Sequence, residues 1–569
     1  MVSAPILALF LTTALTLAFP VRSVEADGII YIRADGSVDP VTACITSSDN
    51  VTYTLTDEIY EGIVVERDGI VVDGKGYTVQ GAGNGTAIDL SGRNNVTVKN
   101  AEIRFFETGI LLDNSSRNTV SANNVTDCEF GIALRSSSSQ NTFRNNQAKD
   151  NRYNLGIFTA LTSGYIQDID DSNTVNGKPV YYWINRSDMT VPLDAGYVVL
   201  VNCTRITVRN LNLTNNMQGV ALSLTTNSMI SNNSVMNNFD GVRFDHSSNN
   251  NVISGNNITA NTCYGIRLFC DPSASGSQLA GPSCNSTICG NNVTENGTGI
   301  RFDYPSNNTA YANNVAYNSD GIGFYGSSSG NTVFENNITN SIYGIWFHSS
   351  YGNRIFNNNF VSNSQHAYPY MDLNFWDAGY PSGGNYWSGR LYVGNDTYSG
   401  LYQNETGSDG IRDAPLGSDK YPLMGLFNSY NVTYYTSPTV SHACNVTLIS
   451  NSTVSSFAAP IWDEHSKTVF LKFNVGGEEG SAGFCRLSFP TAMMNGTYHV
   501  SMNGTEIPYT LLPCSDANTS YLHFTYTHST QEVIVVPESP SFLILPLFMI
   551  ATLLGVIASR GRRKTCAQP

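Results

Sequence analysis

The sequence is poor in charged residues: Lys, Arg, Asp and Glu together make up 13% of its 569 residues. Acidic residues outnumber basic ones by 45 to 30, so the formal net charge is −15 at pH 7 and the sequence pI lies near 4.9. Nucleic acid and anionic lipid are bound mainly through dense positive charge, which a chain of this composition does not supply. We therefore do not expect either of them as a partner of the main body.

Motifs of several enzyme classes and of metal sites are also missing. The sequence has no Gly-rich phosphate loop, no nucleophile elbow and no CxxC redox pair. Its 8 histidines are scattered, without the HxH, HxxxH or Met-rich spacing that would suit a transition metal. These absences argue against copper binding by the histidines and against the reactions that those motifs serve.

Gly, Asn, Ser and Thr are abundant, a mixture typical of turns and strands rather than helices. Glycine opens a phrase that recurs along the chain, since GVRFDHSSNN at 241–250 is nearly repeated as GIRFDYPSNN at 299–308. Related phrases begin at Gly109, Gly131, Gly219, Gly265, Gly321 and Gly344. The most frequent spacing between these glycines is 22 residues. A period of about 22 residues is too short for two helices and indicates one turn of a solenoid built from short strands.

Each repeat carries the pattern of short strands. Apolar residues alternate after the glycine, as in Ile300 and Phe302, which predicts a strand with these side chains facing inward. Paired asparagines such as those at 313–314 recur at one phase, where their amides can hydrogen-bond to the same amide in the next turn. Turns stacked in register form a right-handed parallel β-helix, in which Val242, Ile300 and Ile345 must lie on one side.

This pattern resembles the pectin-lyase-like β-helix families, and especially the β-helix of the nitrous-oxide-reductase accessory protein NosD and its archaeal surface relatives. The resemblance covers roughly residues 65–425 and implies a β-helix at 65–375. Between Gly156 and Gly219 the period is broken by 63 residues that contain an NGKP turn between strand-like runs. We predict a hairpin excursion at about 158–203 that protrudes from the rod.

The parts of the chain on either side of the predicted β-helix are expected to be β-structure as well. A solenoid needs covered ends, so we predict an N-terminal cap at 27–64 and a C-terminal cap at 376–429. Residues 430–536 have no 22-residue period, but strand-like runs such as KTVFLKFNV alternate with turn signals there. That pattern predicts a β-sandwich-like domain, and the predicted fold of residues 27–536 is therefore all-β.

Both chain ends predict a membrane-anchored surface protein. An apolar run at 6–19, followed by small residues at positions 24 and 26, predicts a signal peptide at 1–26. Residues 541–559 are uncharged and precede a basic stretch at 560–569. They predict one transmembrane helix with a cytoplasmic tail, which leaves the rest of the chain at the cell surface.

Two kinds of covalent modification fit an extracellular location. Cys566 lies in the predicted tail, which leaves ten of the 11 cysteines outside the cytoplasm, an even number that permits disulfides. Cys270 and Cys284 bracket a small insertion and are the pair that we predict to be bonded. Asparagine sequons recur in the repeats, and the candidate glycosylation sites are Asn95, Asn124, Asn212, Asn257, Asn292 and Asn337.

Side chains two and four residues after each repeat glycine point away from the core and stack from turn to turn. These positions supply the candidate glycan-binding residues Arg243, Asp245, Arg267, Arg301, Asp303, Tyr325 and Trp346, which we expect to line an exposed groove. Guanidinium groups bind carboxylates and sugar hydroxyls, and aromatic faces stack on pyranose rings. The alternative is structural, because alternating Arg and Asp side chains also form salt bridges along a sheet and keep it soluble.

Catalysis has less support. A glycoside hydrolase needs two carboxyl groups about 5 Å or about 6.5–9.5 Å apart. Asp245 and Asp303 are two turns apart, roughly 9.6 Å, but each has a neighbouring arginine that makes it a poor proton donor. No catalytic residue is therefore assigned. No cofactor is expected either, although the Gly-rich surroundings of Asp409, Asp413 and Asp419 would suit a structural calcium ion.

Three functional hypotheses remain open. The first is a non-catalytic envelope protein, structural, adhesive or glycan-binding, whose partners are cell-envelope components or polysaccharides. The second is a carbohydrate-active enzyme, a polysaccharide lyase or hydrolase, that uses the same face of the β-helix. The third, implied by the resemblance, is a NosD-like maturation factor for a metalloenzyme.

Overall fold

The computed structural model describes residues 28–537 except 160, 247, 270–284, 305–306, 369–372, 390–393, 438–439, 464–467 and 495. The predicted signal peptide (1–26), transmembrane helix (541–559), basic tail (560–569) and Cys270–Cys284 pair lie outside the described residues. Within the described ranges, no helix has the length and apolar character needed to cross a membrane.

Short strands build a first β-helical segment at residues 29–175. Its elements, including one 3₁₀ helix, η1, that lies between β17 and β18, are β1 (Ile29–Ile32), β2 (Val38–Asp39), β3 (Ile45–Thr46), β4 (Thr52–Leu55), β5 (Gly62–Val65), β6 (Val71–Asp73), β7 (Thr78–Gln80), β8 (Thr86–Asp89), β9 (Thr97–Lys99), β10 (Glu102–Arg104), β11 (Thr108–Asp113), β12 (Thr119–Ser121), β13 (Asn124–Thr126), β14 (Phe130–Arg135), β15 (Thr142–Arg144), β16 (Gln147–Lys149), β17 (Tyr153–Phe158), η1 (Thr162–Tyr165), β18 (Asp168–Ile169) and β19 (Thr174–Val175).

A second β-helical segment occupies residues 178–387. Its strands are β20 (Lys178–Ile184), β21 (Tyr197–Val201), β22 (Thr207–Arg209), β23 (Asn212–Thr214), β24 (Gln218–Ser223), β25 (Met229–Ser231), β26 (Ser234–Met236), β27 (Asp240–Asp245), β28 (Val252–Ser254), β29 (Asn257–Thr259), β30 (Tyr264–Phe269), β31 (Thr287–Cys289), β32 (Asn292–Thr294), β33 (Thr298–Asp303), β34 (Thr309–Tyr311), β35 (Asn314–Ala316), β36 (Asp320–Tyr325), β37 (Thr332–Phe334), β38 (Asn337–Thr339), β39 (Tyr343–His348), β40 (Arg354–Phe356), β41 (Asn359–Val361), β42 (Gln365–Tyr368) and β43 (Tyr386–Trp387).

The C-terminal part begins with a small hairpin and continues as a sandwich of two five-stranded antiparallel sheets. Its strands are β44 (Tyr398–Ser399), β45 (Glu405–Thr406), β46 (Leu426–Ser437), β47 (Val440–Ser450), β48 (Thr453–Asp463), β49 (Thr468–Gly476), β50 (Ala482–Pro490), β51 (Tyr498–Met502), β52 (Thr505–Ile507), β53 (Thr510–Leu511), β54 (Thr519–Thr527) and β55 (Gln531–Pro537). Phe473 and Leu487 are among the fully buried residues of its core.

Strands of successive turns pair in parallel and in register. Val242 of β27 aligns with Ile266, which aligns with Ile300, and the same column continues to Ile322 and Ile345. All five side chains are fully buried in one apolar core. This register confirms the prediction that equal phase in the repeat means equal orientation, and it makes the second segment a parallel solenoid.

Buried asparagines form ladders at the turns between strands. Asn233 Nδ2 donates to Asn256 Oδ1 at 2.9 Å, and Asn256 Nδ2 donates to Asn291 Oδ1 at 2.9 Å. The side-chain amide of Asn256 also forms hydrogen bonds with the backbone: its Oδ1 accepts from Asn233 N, and its Nδ2 donates to the Ile230 carbonyl. The predicted stacking of asparagines is confirmed, and it pairs turn backbone groups that burial would otherwise leave unsatisfied.

The hairpin predicted to protrude does not protrude. β19 and β20 pair antiparallel around Asn176 and Gly177, whose φ angles of 48° and 76° suit a tight hairpin turn. β19 also pairs with β16, and β20 pairs in parallel with β21. The hairpin thus lies inside one continuous 14-stranded sheet, here called the long sheet, and reverses the direction of the strands within it.

This reversal places the two β-helical cores on opposite faces of the long sheet. In β20, Val180 and Tyr182 belong to the core of the first segment, whereas Trp183 packs against the core of the second. In β21, Val199 belongs to the first core and Leu200 to the second. The strands of the second segment run opposite to those of the first, and its core lies on the opposite face of the long sheet. Either change alone would invert the hand of the β-helix, so the two together leave both segments with the same hand, as parallel crossovers require.

The last turn of the second segment is closed by aromatic residues. Trp376 is fully buried, with its ring centroid 5.7 Å from that of Phe347 and 5.5 Å from that of Trp387. Asn359 connects the β-helix to the sandwich, because its amide accepts from Phe427 N at 2.8 Å and donates to Phe427 O at 2.9 Å.

Candidate functional site

The second segment presents one side of the long sheet away from its own core. On each repeat strand this outer face is formed by the residue before the glycine and by the residues two and four positions after it. The three columns are Gln218, Asp240, Tyr264, Thr298, Asp320 and Tyr343; Ala221, Arg243, Arg267, Arg301, Gly323 and Trp346; and Ser223, Asp245, Phe269, Asp303, Tyr325 and His348.

The part of the outer face on β21, β24 and β27, here called the covered half, is buried under the first segment. Val199 and Ala221 belong to the core of the first segment. Arg243 is 5% exposed and Asp245 is fully buried. The expectation that these two residues line an exposed groove is therefore wrong. Its physical reason is the strand reversal, which brings the body of the first segment against this side of the sheet.

Residues near the end of the first segment make the contacts that close the covered half. Tyr165 lies in the 3₁₀ helix that follows β17, and its hydroxyl group donates to Asp245 Oδ2. The Tyr165 ring also lies 5.8 Å from the ring of His246, in an edge-on arrangement. At the margin, the hydroxyl groups of Tyr153 and Thr262 lie 2.6 Å apart. These contacts form a wall between β27 and β30.

Beneath this wall, Arg243 lies between two buried carboxylates. Its Nε donates to Asp245 Oδ2 at 2.8 Å, and its Nη1 lies 3.4 Å from Asp240 Oδ2. Burial raises the pKa of Asp240 to about 6, against the opposing effect of Arg243. Oδ1 of Asp240 and of Asp245 has no hydrogen-bond partner among the residues that the structure describes. The covered half is thus a buried charge cluster.

Beyond the wall, the strands β30, β33, β36, β39 and β42 form the open half of the outer face. The exposed fraction of the arginine side chains rises along the column, from 6% for Arg243 to 16% for Arg267 and 20% for Arg301. Asp303 lies between the last two and accepts from Arg267 Nε at 2.7 Å and from Arg301 Nε at 2.9 Å. Within the described ranges, the Nη atoms of these two arginines form no hydrogen bond with the protein.

Aromatic rings flank these arginines. The guanidinium carbon of Arg301 lies 3.8 Å from the ring centroid of Tyr325 and 4.8 Å from that of Tyr264. The guanidinium carbon of Arg267 lies 4.9 Å from the Tyr264 centroid and 4.4 Å from that of Phe269. Cation–π contacts of this length hold the planar side chains in place while their terminal nitrogens stay accessible.

An aromatic platform occupies the far end of the open half. Ring centroids of Tyr343 and Trp346 are 4.5 Å apart, and those of Trp346 and Tyr368 are 4.7 Å apart. Tyr368 is 43% exposed. Partly exposed ring faces with hydroxyl groups at their edges suit the apolar faces and hydroxyl groups of a sugar.

Tyr325 connects the arginines to this platform. Its hydroxyl group donates to Asp320 Oδ2 at 3.2 Å, and its ring lies 6.0 Å from that of His348. A Cβ atom at Gly323 would lie 2.7 Å from Tyr325 Cε2, so the glycine makes room for the ring to lie across the sheet. Burial raises the pKa of Asp320, while the hydroxyl groups of Tyr325 and Thr298 oppose this shift.

The open half thus brings together five of the seven predicted ligand-binding residues: Arg267, Arg301, Asp303, Tyr325 and Trp346. Sequence reasoning missed Tyr264, Tyr343 and Tyr368. Tyr264 and Tyr343 stand one residue before a repeat glycine, so the same alternation points them outward. If this position had been considered together with the second and fourth residues after the glycine, these two tyrosines would have been found.

Asp245 and Asp303, the two carboxylates compared above with a glycosidase pair, are not both within reach of a substrate. Asp245 is closed off by Tyr165 and Arg243, and Asp303 is held by the two arginines beside it. Such a pair cannot flank a glycosidic bond, because one member is out of reach of any substrate.

The aspartates considered for calcium are occupied by loop backbone. Asp419 Oδ2 accepts from Asn385 N and from Trp387 Nε1, each at 2.9 Å. Asp413 accepts from the backbone of Thr397, and Asp409 from that of Ile411. In the part of the chain that the structure describes, no three His, Cys, Asp or Glu side chains are grouped to hold a metal ion.

The sequon asparagines lie on strands or turns of the two segments. Asn212, Asn257, Asn292 and Asn337 begin strands of one sheet, and Asn292 Nδ2 donates to Asn257 Oδ1 at 2.7 Å. Asn95 lies in a turn with φ of 56°, and Asn124 donates to Glu102 at 2.6 Å. The cysteines within the described ranges are all unpaired.

The chain contains a right-handed parallel β-helix: residues 45–191 match the family model of the right handed beta helix region. Within this class it is similar to NosD, since residues 184–276 and 270–395 match the family model described as periplasmic copper-binding protein (NosD). These matches confirm the resemblance predicted from the repeats. No curated protein matches the chain.

Solved structures to which the chain is similar include the Dettilon tailspike protein gp208, with 13% identity, 84% of this chain and 87% of that chain covered, and a TM-score of 0.26. The periplasmic alginate epimerase AlgG has 13% identity, 61% and 82% coverage, and a TM-score of 0.25. A tailspike protein of E. coli bacteriophage HK620, solved with a pentasaccharide, has 10% identity, 84% and 75% coverage, and a TM-score of 0.26. Such values are too low to transfer a ligand or a reaction.

Proposed function

We propose that the protein binds a glycan on the open half of the outer face, without reaction, through Arg267, Arg301, Tyr325 and Trp346, with the buried Asp303 holding the two arginines in position. The observation that carries this proposal is the arginine pair. Asp303 engages both arginines through Nε only, which leaves the Nη ends for a ligand. A guanidinium held in this way binds a carboxylate or neighbouring sugar hydroxyls at a small entropic cost.

The aromatic platform supports the same proposal. Tyr343, Trp346 and Tyr368 lie on β39 and β42, beyond the arginines in the direction away from the wall. A sugar chain that contacts the arginines can therefore extend over ring faces, where burial of its apolar face is favourable. Guanidinium groups at one end and aromatic rings at the other are a combination that a purely structural ladder of salt bridges would not need.

One observation favours the second candidate, a carbohydrate-active enzyme of the lyase or hydrolase type. Asp320 is a carboxyl group in the open half whose pKa is raised by burial and which receives a hydrogen bond from Tyr325. A carboxyl group with raised pKa is what a general acid requires. New reducing ends or unsaturated uronates after incubation with a glycan would identify this activity.

We also propose a cell-surface location with a single membrane anchor. The support is the sequence alone, where the uncharged residues 541–559 precede Arg560, Arg562 and Arg563. Cell-envelope components or polysaccharides are then the accessible partners, and the sequons would carry glycans. A NosD-like role in metalloenzyme maturation has less support, because the described histidines form no metal-binding group.

A glycan array with the purified full chain tests the proposed site. We expect retention of at least one glycan, and a loss of about tenfold in affinity for Arg301→Ala, about 1.4 kcal/mol. Arg354→Ala is the matched control, because Arg354 is an exposed arginine on β40, in a different sheet. If no glycan is retained the function is wrong, and if both variants bind like the wild type the site is wrong.

A further inference from the structure

We infer that the open half binds the end of a glycan chain and not its interior, and that this end carries a negative charge. The inference rests on the proposed function and adds the mode of binding. Its basis is the wall formed by Tyr165, Tyr153 and Thr262, which closes the outer face at one end.

The closure is complete on the strands before the wall. Val199 and Val201 of β21 and Ala221 of β24 lie in the core of the first segment. The next strand, β27, presents Asp240 and Asp245, both fully buried. A sugar chain that ran along the columns of the outer face would have to pass through the packed interior of the first segment. No chain can continue in that direction.

On the other side of the wall the described residues of the outer face include partly exposed side chains, among them Arg267, Arg301, Tyr325 and Trp346. Five strands, from β30 to β42, follow in order. Adjacent strands lie about 4.8 Å apart, so this run is about 19 Å long. Exposure increases along it, from Arg267 with 16% side-chain exposure near the wall to Tyr368 with 43% at the far end. The space fits a short run of sugar units that stops at the wall.

Charge distinguishes the two ends of this run. Arg267 and Arg301 stand next to the wall, and Asp303 is the carboxylate between them. Asp240 lies near Arg267 and Asp320 near Arg301, so the positive charge at the closed end is local to the Nη ends of the two arginines and is not a net excess over the whole face. The Nη atoms there suit a carboxylate on the terminal sugar, which binds bidentately to such a fork. The following sugar units would then lie over Tyr325 and Trp346.

The strand reversal is what produces this arrangement. In a β-helix whose strands keep one direction, the outer face of a sheet continues past every turn and a polymer can lie across it from either side. Here the hairpin at Asn176 and Gly177 moves the first segment to the outer side. The blocked end is thus a property of this chain and not of the solenoid in general.

Chain length gives the first test. Polygalacturonate, alginate and hyaluronan, each as a long polymer and as short oligosaccharides made from it, are compared at equal mass for binding to the purified full chain. We expect the short forms to compete better, in proportion to their number of chain ends. Equal competition by long and short forms overturns the inference but leaves glycan binding intact. On the glycan array, binding of neutral glycans alone overturns the negative charge, and no binding of any glycan overturns the proposed function.

Two variants give the second test, at the two ends of the run. For the shortest oligosaccharide that binds, we expect Arg267→Ala to lower affinity about tenfold and Tyr368→Ala to have no effect. For longer oligosaccharides, both variants should lower it. Both positions are partly exposed, and the buried Asp303 keeps its hydrogen bond from Arg301 when Arg267 is removed. If Tyr368→Ala weakens the shortest oligosaccharide as much as Arg267→Ala does, the ligand does not start at the wall.

Discussion

Two nearly identical pentapeptides, GVRFD at 241–245 and GIRFD at 299–303, occupy equivalent positions on β27 and β33. In both, the arginine Nε donates to the aspartate two residues later, at 2.8 Å and 2.9 Å. In the first, Tyr165 binds the aspartate and the arginine is buried. In the second, Arg267 binds the aspartate and the arginine is partly exposed. Repeat phase therefore sets the direction of a side chain, and what packs above it sets its role.

The comparison also separates two energetic roles for the same ion pair. Around Arg243 the charges are desolvated, so each one depends on its partner for compensation. Around Arg301 the guanidinium group is partly exposed, and the buried Asp303 has Arg267 as a second partner, so removal of one arginine still leaves this carboxylate paired. We expect substitutions at these two positions to have opposite consequences.

The largest expected effect is on stability, from Arg243→Ala compared with Arg301→Ala. Loss of Arg243 leaves the buried Asp245 without an ion-pair partner and Asp240 with only the interaction of Arg267, which should lower the free energy of unfolding by about 3–5 kcal/mol. Loss of Arg301 should cost less, about 1.5 kcal/mol for one hydrogen bond to a charged group, because Arg267 still pairs with the buried Asp303. Urea unfolding of the full chain measures both changes. Equal losses in the two variants would contradict the distinction between covered and open halves.

A smaller effect is expected on the pH dependence of stability, through Asp240. Burial raises its pKa to about 6, above the usual 3.8, so the folded state binds more protons than the unfolded state between these values. By linkage, this carboxyl group destabilises the fold increasingly as pH rises from about 4 to about 6. Wild type should therefore gain stability relative to Asp240→Asn on acidification from pH 7 to pH 5, by about 1–2 kcal/mol. Urea unfolding at the two pH values measures it, and a constant difference would refute the assignment.

The parts of this fold that follow a local period could be predicted from the sequence. Alternation at Ile300 and Phe302 predicted which side chains of a strand face the core, and the paired asparagines predicted the hydrogen-bonded asparagine ladders. Both signals lie within one turn of the solenoid. The NGKP turn gave the hairpin for the same reason. The strands that flank the hairpin are set by two long-range pairings, of β19 with β16 and of β20 with β21. No local pattern in the sequence encodes these pairings.

One signal for the covered half was nevertheless present. The run YVVLV at 197–201 does not alternate with polar residues, unlike the repeat strands that follow it. A continuous apolar strand is typical of a sheet that is covered on both faces. That run marked the place where two cores meet. The exposure of Arg243 and Arg301 could not be told apart, because their neighbours in sequence are nearly the same and only Tyr165, far away in the chain, distinguishes them.

The smallest expected effect comes from Gly323→Ala, which tests how the open half differs from the covered half in detail. The added methyl group would lie 2.7 Å from Tyr325 Cε2, so the ring must leave the sheet and lose its contact with Arg301. Stability should change by less than about 1 kcal/mol, because the displaced side chain is partly exposed and alanine restricts the unfolded chain. Affinity for a glycan retained on the array should fall a few-fold. In a Tyr325→Ala background the same change should have no further effect on affinity, and an undiminished loss there would show that Gly323 acts by some route other than the position of that ring.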